Sequence, residues 1–137
     1  MMKTLAAYYS YTGHTKTFAL EYAEKMSAVI AEITDVKRPG KIKAFTAGCF
    51  AALSGKAWPI QPLRVDMSEF DQVVMFSPVW AGNPPPSINA FLKLLPKGKT
   101  VSVKMISASG VCKCKDKLTA AIISNGCTLD GFENIKA

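Results

Sequence analysis

Strand-like apolar runs alternate with amphipathic helix-like stretches along the chain, and this alternation strongly limits the folds that the chain can adopt. The predicted elements are strands at 3–9, 31–36, 71–77, 100–107 and 127–135 and helices at 14–30, 87–95 and 115–125. Near-continuous apolar runs are typical of parallel strands that are buried on both faces. The pattern therefore predicts one α/β domain over residues 1–137, with a doubly wound parallel sheet covered by helices.

A long connection, from about residue 41 to residue 68, separates the second and third predicted strands. Residues 44–56 are expected to form a short helix that carries Phe45, Phe50 and Leu53. Connections of this length in compact domains are usually functional or disordered. Because of its aromatic residues, we expect this one to form an ordered cover.

Composition places the chain among ordinary globular proteins, because 49% of its 137 residues are hydrophobic and 20% are charged. No apolar run approaches the roughly 20 residues of a membrane span. The N-terminus also lacks the pattern of a signal peptide. We therefore expect a cytoplasmic protein that does not associate with membranes.

The chain has four cysteines, which are Cys49, Cys112, Cys114 and Cys127. Free thiols are the ordinary state of cysteines in the cytoplasm. A redox or a metal-binding role for Cys112 and Cys114 is the alternative, although their one-residue spacer differs from the two-residue spacer of common zinc and redox pairs.

The net charge of +7 bears on the kind of partner that the chain could bind. Such a surplus permits nucleic-acid binding, but no nucleic-acid-binding motif accompanies it. We therefore expect no nucleic-acid partner and interpret the lysines as a solvated surface. The same surface would favour an acidic partner or an anionic ligand.

The segment from Ser10 to Thr15 joins the first strand to the first helix and concentrates hydroxyl side chains around Gly13. The first N–H groups of a helix lack internal partners and carry partial positive charge, so this loop could seat an anion. It lacks the P-loop lysine and the three-glycine dinucleotide pattern, which favours a phosphate monoester. Simple helix capping by Ser10 or Thr12 explains the hydroxyls equally well.

Two further loops are predicted at the same edge of the sheet. Residues 77–83 follow the third strand, and Trp80 there either stacks on a flat ring or packs in the core. Residues 107–112 follow the fourth strand and could offer backbone N–H groups to a polar ring edge. Ligands of parallel sheets bind beyond the carboxyl ends of the strands, so the three loops predict a binding site.

Two of these loops resemble a known family. Ser10-x-Thr12-Gly13-x-Thr15 after the first strand resembles the phosphate loop of flavodoxins, and SPVWAGNPPPSINAFL after the third strand is similar to their flavin loop. The connecting stretch FTAGCFAALSGKAWPIQPLRVDMSEFDQVV is also similar to a bacterial flavodoxin-like subgroup. The resemblance covers residues 3–125, and it implies a five-stranded sheet of order 2-1-3-4-5 and tightly bound FMN.

By position, the resemblance assigns three groups of residues to the cofactor. It implies that the phosphate is held by Ser10, Tyr11, Thr12, Gly13, His14 and Thr15. The ribityl chain and the ring would be bordered by Ser77, Pro78, Val79, Trp80, Ala81 and Gly82. The pyrimidine edge would meet Ser109 and Gly110, with Val111 and Cys112 as further candidates.

The chain departs from the family in two respects. Typical flavodoxins are acidic, whereas this chain carries a charge of +7, so the family's acidic docking surface is not expected here. The family's C-terminal helix is also missing after the fifth predicted strand. One face of the sheet is then expected to be exposed, and a homodimer, a truncated chain or a marginally stable domain would each account for it.

The sequence therefore predicts an FMN-binding, flavodoxin-like electron-transfer protein without a metal site. Its partner would be a redox protein or a small quinone-like acceptor. One alternative is an FMN-dependent NAD(P)H:quinone or nitro reductase, so whether the protein is an enzyme stays open at this point. The second alternative is a non-redox binding module that has lost flavin.

Overall fold

The structure is a computed structural model that describes residues 3–37, 40, 44–54 and 56–137, without the side chains of residues 44, 45 and 53. The predictions about the side chains of Phe45 and Leu53 lie outside these described residues. The strands are β1 (Thr4–Tyr8), β2 (Val29–Glu32), β3 (Gln72–Pro78), β4 (Thr100–Ser107) and β5 (Thr128–Lys136). The helices are α1 (His14–Met26), α2 (Cys49–Ser54), α3 (Pro86–Leu92) and α4 (Lys115–Ser124).

The five strands form one parallel sheet in the order β2-β1-β3-β4-β5. This confirms the predicted α/β fold class and the strand order that the flavodoxin resemblance implied. The order reverses direction at β1, which has β2 on one side and β3 on the other. The carboxyl ends of β1 and β3 therefore lie side by side at the position where such sheets bind ligands.

The boundary between α1 and β2 was predicted wrongly. The helix ends at Met26 instead of continuing to residue 30, and β2 begins at Val29 instead of residue 31. Ser27 takes a left-handed conformation with φ 52°, and the N–H of Ala28 donates to the carbonyl of Ala23 at 3.0 Å. The left-handed Ser27 ends the helix. The prediction was wrong because Val29 and Ile30 continue the apolar spacing of the helix.

The sheet has a buried core on each face. The larger core joins β1, β3 and β4 to α3 and α4 through side chains such as Met75, Phe91 and Leu118. The smaller one lies under α1, where Phe76 and Tyr8 pack with Tyr22. These two layers fix the sheet, so the loops at its carboxyl edge stand on a rigid base.

No helix follows β5 within the described part of the chain. Beyond α1, the same face of β4 and β5 carries polar side chains. Lys104 and Glu133 are paired across the strands with their charged atoms 3.5 Å apart, and Ser102 lies beside Gly131. This part of the face is polar, so it gives no hydrophobic reason for a second subunit to cover it.

Candidate functional site

The loop between β1 and α1 leaves the first N–H groups of the helix available. Gly13 is the residue before α1, with φ 102°, and no side chain caps the helix there. Within the described residues, the N–H groups of His14, Thr15 and Lys16 donate to no backbone carbonyl. The N-terminus of α1 therefore has the free donors and the partial positive charge that attract an anion.

The hydroxyl groups of this loop do not cap the helix in the simple way that the sequence left open. The Oγ of Ser10 accepts from the N–H of Gly13 at 2.9 Å, which closes the loop before the helix begins. The hydroxyl of Thr17 donates to the carbonyl of Gly13 at 3.2 Å. Thr12 is exposed, whereas Thr15 is only 2% exposed. Ser10 and Thr17 thus shape the loop, and the helix end stays open.

Space above Gly13 is also open, because a side chain built there would meet no heavy atom within 4 Å. The glycine is needed for its left-handed backbone and not to avoid a collision. A ligand can therefore approach the exposed backbone of the loop closely. His14, the next residue, is exposed.

The loop after β3 closes in a tight turn. Trp80 and Asn83 exchange backbone hydrogen bonds of 2.7 and 3.0 Å, and Ala81 and Gly82 between them have φ values of 53° and 80°. Two positive φ values in a two-residue connection are those of a type I′ turn. For Ala81 this conformation costs about 1–2 kcal/mol. Such local strain is common where a loop serves binding.

Trp80 lies in a group of aromatic side chains. The ring of Tyr9 stands edge-on to it at 6.0 Å between centroids, and Tyr11 does so at 5.9 Å. A Cβ at Gly48 would lie only 2.7 Å from Cζ3 of Trp80, so the π-helical turn Ala44–Gly48 rests on this indole. Trp80 is thus half-buried and held in place. Stacking on a ligand ring stays a prediction.

A polar network beneath this group was missed by the sequence reasoning. The hydroxyl of Tyr9, which is 3% exposed, donates to Oδ2 of Asp35 at 2.6 Å. The hydroxyl of the fully buried Ser87 donates to the other oxygen of Asp35. The network ties the start of α3 to the segment after β2 and orients Tyr9 against Trp80. The signal in the sequence was Asp35, which breaks the alternation of apolar and polar residues in the segment 31–36.

The first residues of the flavin-loop segment make contacts within the chain, and their contact with a cofactor stays a prediction. Ser77 is fully buried, and its hydroxyl donates to the carbonyl of Pro78 at 2.8 Å. Its hydroxyl is therefore used within the chain. Pro78 and Val79 are half-buried, and Val79 packs against the larger core. These three residues hold the loop, while the turn at residues 80–83 projects from the edge.

The loop after β4 is joined to the turn after β3. The N–H of Lys113 donates to the carbonyl of Gly82 at 2.8 Å. Ser107 Oγ accepts from the N–H of Gly110 at 3.0 Å, and Gly110 has φ 72° next to Lys136. Ser109 is exposed. The second and third predicted loops therefore form one connected surface, beside the β1–α1 loop.

The cysteines of the third loop are free thiols. Cys114 is fully buried at the start of α4, and burial, followed by a hydrogen bond with Cys112, raises the pKa of its thiol. A buried thiol with a raised pKa is a poor nucleophile.

Among the described residues, no cluster of three or more His, Cys, Asp or Glu could hold a metal ion. Every helix in this part of the chain is too short or too polar to cross a membrane.

Comparison with solved structures places this fold among known ones. No protein-family model matches the sequence, and no curated protein matches it. A flavoprotein from Lactobacillus acidophilus NCFM, solved in complex with FMN, shares 23% identity with a TM-score of 0.74, over 96% of this chain and 92% of that one. A candidate flavoprotein from Bacteroides eggerthii shares 19% identity with a TM-score of 0.82, over 97% of this chain and 87% of that one.

A flavodoxin from Streptococcus pneumonia TIGR4 is also similar, with 16% identity and a TM-score of 0.55 over 98% of this chain and 86% of that one. At sequence identities this low, the similarity to these structures establishes the fold alone. The chain has the flavodoxin fold over 96 to 98% of its length, as the two loop motifs indicated.

Proposed function

We propose that this chain, which has the flavodoxin fold, binds FMN without a covalent bond at the carboxyl edge of its sheet and transfers electrons. FMN would supply the redox chemistry, and the protein would bind it, orient it and exclude water from it. A redox protein or a small quinone-like acceptor as partner, a cytoplasmic location and a homodimer stay predictions.

The open N-terminus of α1 is the observation that carries this proposal. Among the described residues, the three consecutive N–H groups from His14 to Lys16 have no backbone acceptor, and the space at the adjacent Gly13 is open. A phosphate monoester satisfies such donors without a metal ion or a lysine. The hydroxyls of Thr12 and Thr15 would add side-chain donors at the same position.

The two linked loops suit the remainder of the cofactor. Trp80 is held by Tyr9, Tyr11 and Gly48 and offers apolar surface to a flat ring. The turn at Ala81 and Gly82 places backbone groups at the edge, where they could meet polar atoms of the ring. The structural neighbour from Lactobacillus acidophilus, solved with FMN, supports this choice of cofactor.

Electron transfer is tested with the FMN-loaded protein under anaerobic conditions. After reduction with dithionite and removal of its excess, addition of ferricyanide, an anionic one-electron acceptor, should restore the flavin absorbance near about 450 nm while FMN stays bound. Steady oxidation of NADPH in the presence of a quinone would instead identify the reductase alternative. Protein that retains FMN but exchanges electrons with neither would contradict the proposal.

A further inference from the structure

Five exposed lysines belong to segments at or near the carboxyl edge of the sheet, which is the candidate cofactor edge, and we call them the lysine rim. They come from four separate segments, namely α1, the loop after β4, α4 and the end of β5. The rim consists of Lys16, Lys113, Lys115, Lys117 and Lys136. One exposed carboxylate, that of Asp116, lies among them. The edge that would hold FMN is therefore strongly positive.

Local folding does not account for these lysines. Lys16 lies in the first turn of α1, and Lys115 and Lys117 lie in the first turn of α4. Positive charge near a helix N-terminus opposes the helix dipole and is locally unfavourable. Residues that break a local rule in this way often serve function.

The rim charges are also not neutralised within the described part of the chain. The two ion pairs found there, Lys3 with Glu69 and Lys104 with Glu133, involve none of the rim lysines. The other carboxylates near this edge are engaged by tyrosines. Glu32 accepts from the hydroxyl of Tyr8 at 2.8 Å, and Asp35 accepts from Tyr9. The positive charges of the rim lysines are therefore available to a charged partner in solution.

We propose that the lysine rim docks an acidic redox partner protein onto the cofactor edge. The inference rests on the proposed function, because electrons would leave at this edge and a partner must approach it. A ring of charge around an exchange site steers a partner of opposite charge and fixes its orientation. Nucleic acid fits less well, because the chain shows no base-reading motif.

The test measures binding to the flavin-free protein, so that it does not depend on cofactor loading. An acidic [2Fe–2S] ferredoxin is immobilised, and binding is followed between about 0.02 and 0.2 M salt, where screening changes most. The double variant Lys115→Glu/Lys117→Glu should bind at least about tenfold more weakly at low salt. Glutamates at these positions favour the helix N-terminus, so the variant should fold.

A matched control changes the net charge equally at the opposite edge. Lys97→Glu/Lys99→Glu should retain most of the ferredoxin binding, since these lysines precede β4. Equal losses in the two double variants would show that only net charge matters and would overturn the proposal. Tighter and more salt-resistant binding of a DNA duplex or of phosphatidylserine vesicles than of ferredoxin would also overturn it. Failure to bind FMN, with rim-dependent docking intact, would count against the proposed function alone.

Discussion

The two edges of the sheet differ in how completely the chain satisfies its own polar groups. At the amino edge, Asp66 caps the turn Met67–Glu69 by accepting from the N–H of Ser68 at 3.0 Å, and hydrogen bonds from Ser68 lower its pKa. At the carboxyl edge, the N-terminus of α1 has no side-chain cap. The helices α3 and α4 begin at the carboxyl edge and lack a side-chain cap as well, so a ligand at α1 is favoured by its loop motif together with the open cap, and not by the missing cap alone.

Charge shows the same contrast. At the amino edge, the Nζ of Lys3 lies 4.0 Å from the carboxylate of Glu69, and the backbone N–H of Lys3 donates to the carboxylate of Asp71. The Nζ of Lys99 donates to the carbonyl of Ser68. No side chain of the lysine rim at the carboxyl edge has an ion pair or a hydrogen bond among the described residues. One edge therefore contributes to stability through internal pairs, while the other keeps donors and charge available for molecules outside the chain.

The largest expected effect separates these edges with two glycines. Gly13 and Gly98 both have positive φ and no heavy atom within 4 Å of a built side chain, but they lie at opposite edges. Valine at either position should cost about 1–3 kcal/mol of stability through backbone strain. Only Gly13→Val should also weaken FMN binding, by about a hundredfold or more, which corresponds to about 2.7 kcal/mol. Thermal unfolding and FMN titration measure the two quantities.

Unchanged FMN affinity in Gly13→Val would refute phosphate binding at the N-terminus of α1. Equal loss of affinity in Gly98→Val would mean that general destabilisation, and not the loop, controls binding.

A smaller effect is expected from the aromatic group. Trp80→Leu should weaken FMN binding by about tenfold, because the ring loses an aromatic contact. Phe70→Leu is the matched control, since Phe70 is a buried aromatic residue near the amino edge. It should reduce stability without changing affinity. If both variants bind FMN as the unchanged protein does, Trp80 only packs against Gly48 and the tyrosines.

The smallest effect concerns pH. Burial, together with a hydrogen bond to Glu32, raises the pKa of Tyr8 to about 12 from 10.0. Because the folded pKa lies above the unfolded one, this contribution to stability is fully present below pH 10 and is lost as the pH rises to about 12. Denaturant unfolding should show this decline, and Tyr8→Phe should remove the part due to Tyr8. An unaltered alkaline decline in that variant would assign it to other groups.

The sequence predicted the sheet well because buried parallel strands leave a strong apolar signal. β4 was placed at 100–107, as observed, and the alternation with helices determined the fold class. The end of α1 was misplaced because Val29 and Ile30 fit both a helix face and a strand. Only the left-handed Ser27 decides between them, and serine carries no clear signal for that conformation.

The candidate site was predictable in position but not in contacts. Loop motifs placed Gly13, Trp80 and Gly110 at one edge, where the structure also has them. Long-range contacts could not be read from the chain, such as Asp35 between Tyr9 and Ser87, or Lys113 bonded to Gly82. The lysine rim was visible only as net charge, because its members are separated in sequence.

FMN binding at the carboxyl edge is the central claim, and titration of the flavin-free protein tests it most directly. Addition of FMN should quench flavin and Trp80 fluorescence to a one-to-one endpoint with micromolar or tighter affinity, about −8 kcal/mol or better. Riboflavin, which lacks the phosphate, should bind at least about tenfold more weakly, because the N-terminus of α1 then loses its anion. No binding of FMN at micromolar concentration, or equal binding of riboflavin, would contradict this account.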